Sequence, residues 1–107
     1  MPGGRLRAPA YCVAVAYALA LTGCVTQPPV QEMSDARQAI GVAKDAGADE
    51  TAIAELRAAE DYLSSAERKL SEKSYSQARR DALMAKEKAL EALANAEAAA
   101  EGQNPPQ

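Results

Sequence analysis

A chain of 107 residues with no His, Trp or Phe lacks most of the side chains that perform acid–base, metal or thiol-partnered chemistry. Its 12 Lys and Arg stand against 15 Asp and Glu, so it carries no basic excess of the kind that nucleic acid or anionic head groups attract. The adjacent acids Asp49-Glu50 and Glu60-Asp61 would need a desolvating cleft to act as an acid–base pair. In a short alanine-rich chain they read as solvated helix faces, and no enzyme is expected.

The N-terminal segment has the order of a secretory leader. Arg5 and Arg7 precede the apolar run Ala10-Tyr11-Cys12-Val13-Ala14-Val15-Ala16-Tyr17-Ala18-Leu19-Ala20-Leu21, which ends in small residues. The run is shorter than the roughly 20 apolar residues that a membrane-crossing helix needs. No adjacent arginine pair precedes it, which favours the general secretory route. Its last residues, Leu21-Thr22-Gly23-Cys24, resemble the lipobox of bacterial lipoproteins. That resemblance implies removal of residues 1–23, diacylglycerol on the Cys24 thiol and an N-acyl chain at its amine, with no other cofactor. Cys12 would leave with the leader, so a Cys12–Cys24 disulfide is not expected. One acyl chain holds a protein only reversibly, at about 0.8 kcal/mol per buried methylene, whereas two or three make attachment permanent. Membrane contact is expected through this anchor.

Residues 24–30 read as a lipidated tether, in which Pro28-Pro29 favours an extended form of about 3.1 Å per residue. Residues 31–101 read as helix throughout, since alanine abounds and no proline lies between Val30 and Asn104. The first helix carries Met33, Ala36, Ile40 and Ala43, with Gln31 or Ser34 near its start and Gly47 to end it. The second carries Ala52, Leu56, Ala59, Leu63, Ala66 and Leu70 after the candidate caps Asp49 and Thr51. The third carries Ala78, Ala82, Ala85, Ala89, Ala92, Ala96 and Ala99, flanked by Leu83, Leu90 and Leu93. Alternating steps of three and four place each set on one face. Gly47-Ala48-Asp49 marks a turn, and Ser71-Glu72-Lys73-Ser74-Tyr75 a softer one. Without that second break, Thr51 to Glu101 would form one helix about 75 Å long. Residues 102–107 read as a fraying tail.

The expected fold is therefore all-α: a small antiparallel bundle of three helices, or a long hairpin with a short first helix. Its expected packing core is Ile40, Leu56, Leu63, Leu70, Leu83, Leu90 and Leu93, with Met33 and Val42 laid across it. So few large side chains leave thin net stability against about 1.5 kcal/mol of entropy per ordered residue. A partner or self-association would complete such a core. Tyr62 and Tyr75 read either as rings covering the seam and the turn or as contacts for a partner helix or glycan. Arg79-Arg80 reads as a solvated helix start or as an anchor for anionic wall polymer. Ser34, Ala36, Arg37, Ala43 and Lys44 recur as Ser76, Ala78, Arg79, Ala85 and Lys86 at a constant offset of 42, which fits either a duplication or six heptads of alanine-rich pattern.

The order of lipobox, proline linker, Ser34-Asp35-Ala36-Arg37-Gln38-Ala39-Ile40, Ala46-Gly47-Ala48, Leu56-Arg57-Ala58-Ala59-Glu60 and Tyr75-Ser76-Gln77-Ala78-Arg79 resembles a family of small alanine-rich helical envelope lipoproteins, a domain of unknown function. The same module occurs ahead of OmpA-like peptidoglycan-binding domains, none of which follows here. The resemblance implies a periplasm-facing helical module and supplies no catalytic residue. A looser similarity is to murein lipoprotein, a lipid-anchored helix joined to the wall through its last lysine. No lysine follows Lys88, so that linkage is not expected. Val25 stands where an aspartate commonly retains lipoproteins in the inner membrane, which by analogy favours the outer one. The expected role is a non-catalytic structural or interaction module that binds an envelope protein, itself or peptidoglycan non-covalently. The alternative is a chaperone-like lipoprotein that holds a client helix.

Overall fold

The computed structural model describes residues 27–103, and the leader, the lipobox and residues 104–107 lie outside them. Among the described residues the chain forms four helices and no strand: α1 (Val30–Asp45), α2 (Ala48–Thr51), α3 (Ile53–Ser71) and α4 (Tyr75–Gln103). The break at residues 71–75 is real, and the single helix from Thr51 to Glu101 is not formed. Cross-helix ion pairs fix the directions. Arg37–Glu67 and Lys44–Glu60 set α1 antiparallel to α3, and Lys69–Asp81 sets α3 antiparallel to α4. Glu32–Arg79 and Asp35–Lys86 then place α1 and α4 parallel, with α4 lying against both other long helices.

Several helix ends differ from the sequence expectation. α1 starts at Val30, a turn before Ser34, with Pro29 buried at its N-cap and the Met33 N–H donating to the Pro29 carbonyl. Gln31 instead donates to Asp35 within the helix. Gly47 ends α1 in the left-handed region at φ 92°, and its carbonyl then accepts from Glu50 and Thr51 to start the single turn α2. Neither Asp49 nor Thr51 caps α3. Ala52, which has no polar side-chain atom to cap with, occupies that N-cap, and the Thr51 hydroxyl donates back to the Gly47 carbonyl. At the other end α4 continues through Gly102 to Gln103. The α3–α4 turn is a Schellman motif, with the Lys73 N–H bonded to Leu70 and the Ser74 N–H to Lys69. Lys73 sits at φ 62°, where glycine is usual.

The core is made of alanine. Ala36, Ala43, Ala59, Ala66, Ala78, Ala82, Ala85, Ala89 and Ala92 have no exposed surface. Met33, Ile40 and Leu56 are the large apolar residues buried among them, while Leu63, Leu70 and Leu93 are partly buried and pack against the same clusters. Leu83 and Leu90 are not core residues: they are 51% and 48% exposed, and Val42 is 45% exposed. The reason is angular. α4 must face α1 and α3 together, so its buried stripe is centred on the alanines. Each of the two leucines follows one residue after Ala82 or Ala89, about 100° round the helix. Leucine inside that stripe would force apart helices whose close approach depends on methyl-sized side chains.

Candidate interaction surfaces

Grooves lie on both sides of α4, and the expected site residues divide between one on the α3 side and one on the α1 side. On the α3 side, Tyr62 lines an open groove of about 450 Å³ with Ala58, Asp61, Ser65, Lys69 and Asp81. α3 and α4 meet there through a charged bridge. The Asp81 carboxylate accepts from the Lys69 ammonium and from the Ser65 hydroxyl, each at 2.6 Å, and its side chain is only 15% exposed. Partial burial works to raise the Asp81 carboxyl. The hydrogen bonds from Lys69 and Ser65, with the positive charges of Lys69 and Arg80, outweigh that and hold it below the usual carboxylate range. An acid so occupied is a structural tie between helices. Tyr75 is the first residue of α4, half-buried at the turn, more than about 10 Å of helix away from Tyr62. The two tyrosines therefore form no common binding platform.

On the α1 side, a groove of about 200 Å³ is lined by Asp35, Gln38, Ala39, Val42, Lys86, Leu90 and Leu93. Leu83 continues its apolar edge one heptad before Leu90. Partly exposed ion pairs, Glu32–Arg79 and Asp35–Lys86, bridge α1 and α4 along this side, where Val42 and Leu90 stay about half exposed while Leu93 packs on the core. Leu83 and Leu90, expected in the core, lie on this face instead. Their position just after the alanine stripe was the available signal, because a three-sided helix buries one stripe and exposes its neighbour.

Cys24 and the lipobox residues Leu21, Thr22 and Gly23 lie outside the described residues. Among those described, no group of three potential ligands could hold a metal ion, and no helix is long and apolar enough to cross a membrane.

The described residues thus form an all-α bundle with an alanine core and open grooves on the α1 and α3 sides of α4. It belongs to the family described as Domain of unknown function (DUF4398), whose pattern it matches over residues 31–104. No curated protein and no solved structure matches it.

Proposed function

We propose that this protein is a lipid-anchored, non-catalytic interaction module of the bacterial cell envelope, carried on the periplasmic face of the outer membrane. The observation that carries the reading is Leu21-Thr22-Gly23-Cys24 at the end of an apolar run headed by Arg5 and Arg7. The bundle is consistent with it: its interior is closed by alanine, and its apolar surplus points outward at Val42, Leu83 and Leu90. Val30 and Ile53 are exposed as well, but Val42 and Leu90 line one groove and Leu83 lies a heptad from Leu90. A contiguous apolar edge is the kind of surface that suits contact with another macromolecule. The partner is an envelope protein or a second copy, with peptidoglycan as a non-covalent alternative. The chaperone-like reading draws on the same open α1–α4 groove, whose lining includes the apolar side chains of Val42, Leu90 and Leu93.

Metabolic labelling tests the anchor. Cells given radiolabelled palmitate should label the wild-type chain and leave Cys24→Ala unlabelled, with the labelled form recovered in outer-membrane fractions. Label on Cys24→Ala, or recovery of the wild type in the cytosol with residue 1 intact, would refute the assignment.

A further inference from the structure

α4 carries its charge backwards. Arg79, Arg80, Lys86 and Lys88 lie in its first half against Asp81 and Glu87, while every charge after Lys88 is acidic: Glu91, Glu97 and Glu101. The helix macrodipole favours the opposite order, acids first and bases last. Yet the first turn of α4 holds no acid and its last turn no base. Part of this charge is answered inside the bundle, where Arg79 meets Glu32, Lys86 meets Asp35, Asp81 meets Lys69 and Lys88 meets Glu91. Arg80, Glu87, Glu97 and Glu101 are exposed and have no ion-pair partner among the described residues, and Glu87 lies one residue from Lys86 and Lys88. The apolar edge formed by Leu83 and Leu90 runs along this same helix, beside Val42 of α1.

We infer that this face binds a second copy of the chain, with α4 running antiparallel to the partner's α4. The inference rests on the interaction-module reading above and names its partner. Antiparallel pairing lays the basic half of each helix on the acidic half of the other and opposes the two dipoles. A two-fold axis between Leu83 and Leu90 sets Leu83 across from the partner's Leu90, and the reverse follows by symmetry. That register brings Arg79 and Arg80 to within about one turn of the partner's Glu97. Parallel pairing would instead stack like-charged halves. With α4 about 43 Å long, α1 about 24 Å and each about 10 Å wide, the face buries on the order of 600 Å² per copy. That is the small end of specific interfaces, so the dimer is weak and reversible.

Cysteine crosslinking of the full chain in its membrane tests the geometry, using a bis-maleimide with a spacer of about 10 Å. The wild type, with Cys12 removed and the Cys24 thiol acylated on the reading above, offers no free thiol and sets the background. Glu87→Cys lies beside the axis and should give a band of twice the chain mass. Glu97→Cys lies about 31 Å along the helix from its copy and should give at least ten-fold less. Adding Leu83→Asp and Leu90→Asp to Glu87→Cys should cut its band at least ten-fold while the helical circular dichroism of the solubilised chain stays unchanged. Equal bands at both positions would mean a parallel pair and overturn the proposal. So would no dimer at position 87, a band that survives the two aspartates, or a band of another mass. Palmitate labelling of the same samples separates the two readings: label without dimer removes this proposal alone, and dimer without label removes the anchor alone.

Discussion

Exchanging large and small residues on α4 tests where its interior lies. Ala89 has no exposed surface and sits among Ala43, Ala48, Leu56 and Ala92, whereas Leu90, the next residue, is 48% exposed. Full burial of a leucine side chain contributes about 1.5–3 kcal/mol, so a half-buried one contributes about 1 kcal/mol. Leu90→Ala should therefore cost at most about 1 kcal/mol, far less than the roughly 2–5 kcal/mol expected for Leu56→Ala at 5% exposure. Ala89→Leu inserts three carbons between helices held at alanine distance and should cost about 1–3 kcal/mol or more. In a domain of this size, 1 kcal/mol moves Tm by about 4–8 °C. Thermal and urea melts followed by circular dichroism, on the chain from residue 25 onward carrying each substitution, should rank Leu90→Ala mildest. The other two should be clearly lower. A stabilised Ala89→Leu, or a Leu90→Ala as damaging as Leu56→Ala, would refute the alanine-centred core.

The helix ends and the interhelical bridge give three further tests. Lys73→Gly should raise stability by about 1 kcal/mol in urea melts, because Lys73 holds the left-handed position of the Schellman turn at φ 62° and is exposed. Gly41→Ala should add about 1 kcal/mol, since Gly41 lies inside α1 and nothing stands within 4 Å of the added Cβ; an unstable variant would mean that α1 packs more tightly there. Asp81→Asn should cost about 1 kcal/mol at pH 7 by loosening Lys69 and Ser65. The Asp81 carboxyl is depressed in the fold, so its contribution is fully present above its unfolded pKa of about 3.9 and is lost as pH falls through the folded value. The gap between wild type and Asp81→Asn should therefore close below about pH 4, and a gap that persists there would show that Asp81 acts by shape rather than charge.

Periodicity placed the three long helices, because alanine and leucine repeated at steps of three and four. Gly47 marked the first turn for a definite reason, since its φ of 92° suits glycine. The second turn was harder to read because the residue in the left-handed region is Lys73, and lysine gives no such signal. Helix caps were the weakest reading. Asp49 and Thr51 have the right chemistry, but Ala52 takes the α3 N-cap position, set by where the chain enters the bundle, whereas Ser74 does directly precede α4 and its carbonyl accepts from the Ala78 N–H. Hydrophobicity alone points leucine to the core. The structure instead spends the interior of α4 on alanine, since packing against two helices at once selects for small volume over apolar area.

An alanine interior also shapes how such a protein can associate. Closing the core with methyl groups fixes the bundle but leaves the larger apolar side chains Val42, Leu83 and Leu90 at the edge of a small groove. A face of on the order of 600 Å² per copy would hold two freely diffusing chains only weakly. On the reading proposed above, neither chain diffuses freely. Acyl chains at Cys24 confine both to one membrane, and confinement raises the effective concentration of each for the other without any new contact. A short proline-containing tether limits how far the bundle strays from that surface. The anchor and the weak face are then parts of one device. The Glu87→Cys crosslink should accordingly be strong in intact membranes and fall at least ten-fold when the same chains are diluted in excess detergent. A band that resisted dilution would place the binding strength in the protein face itself and leave the anchor no part in assembly.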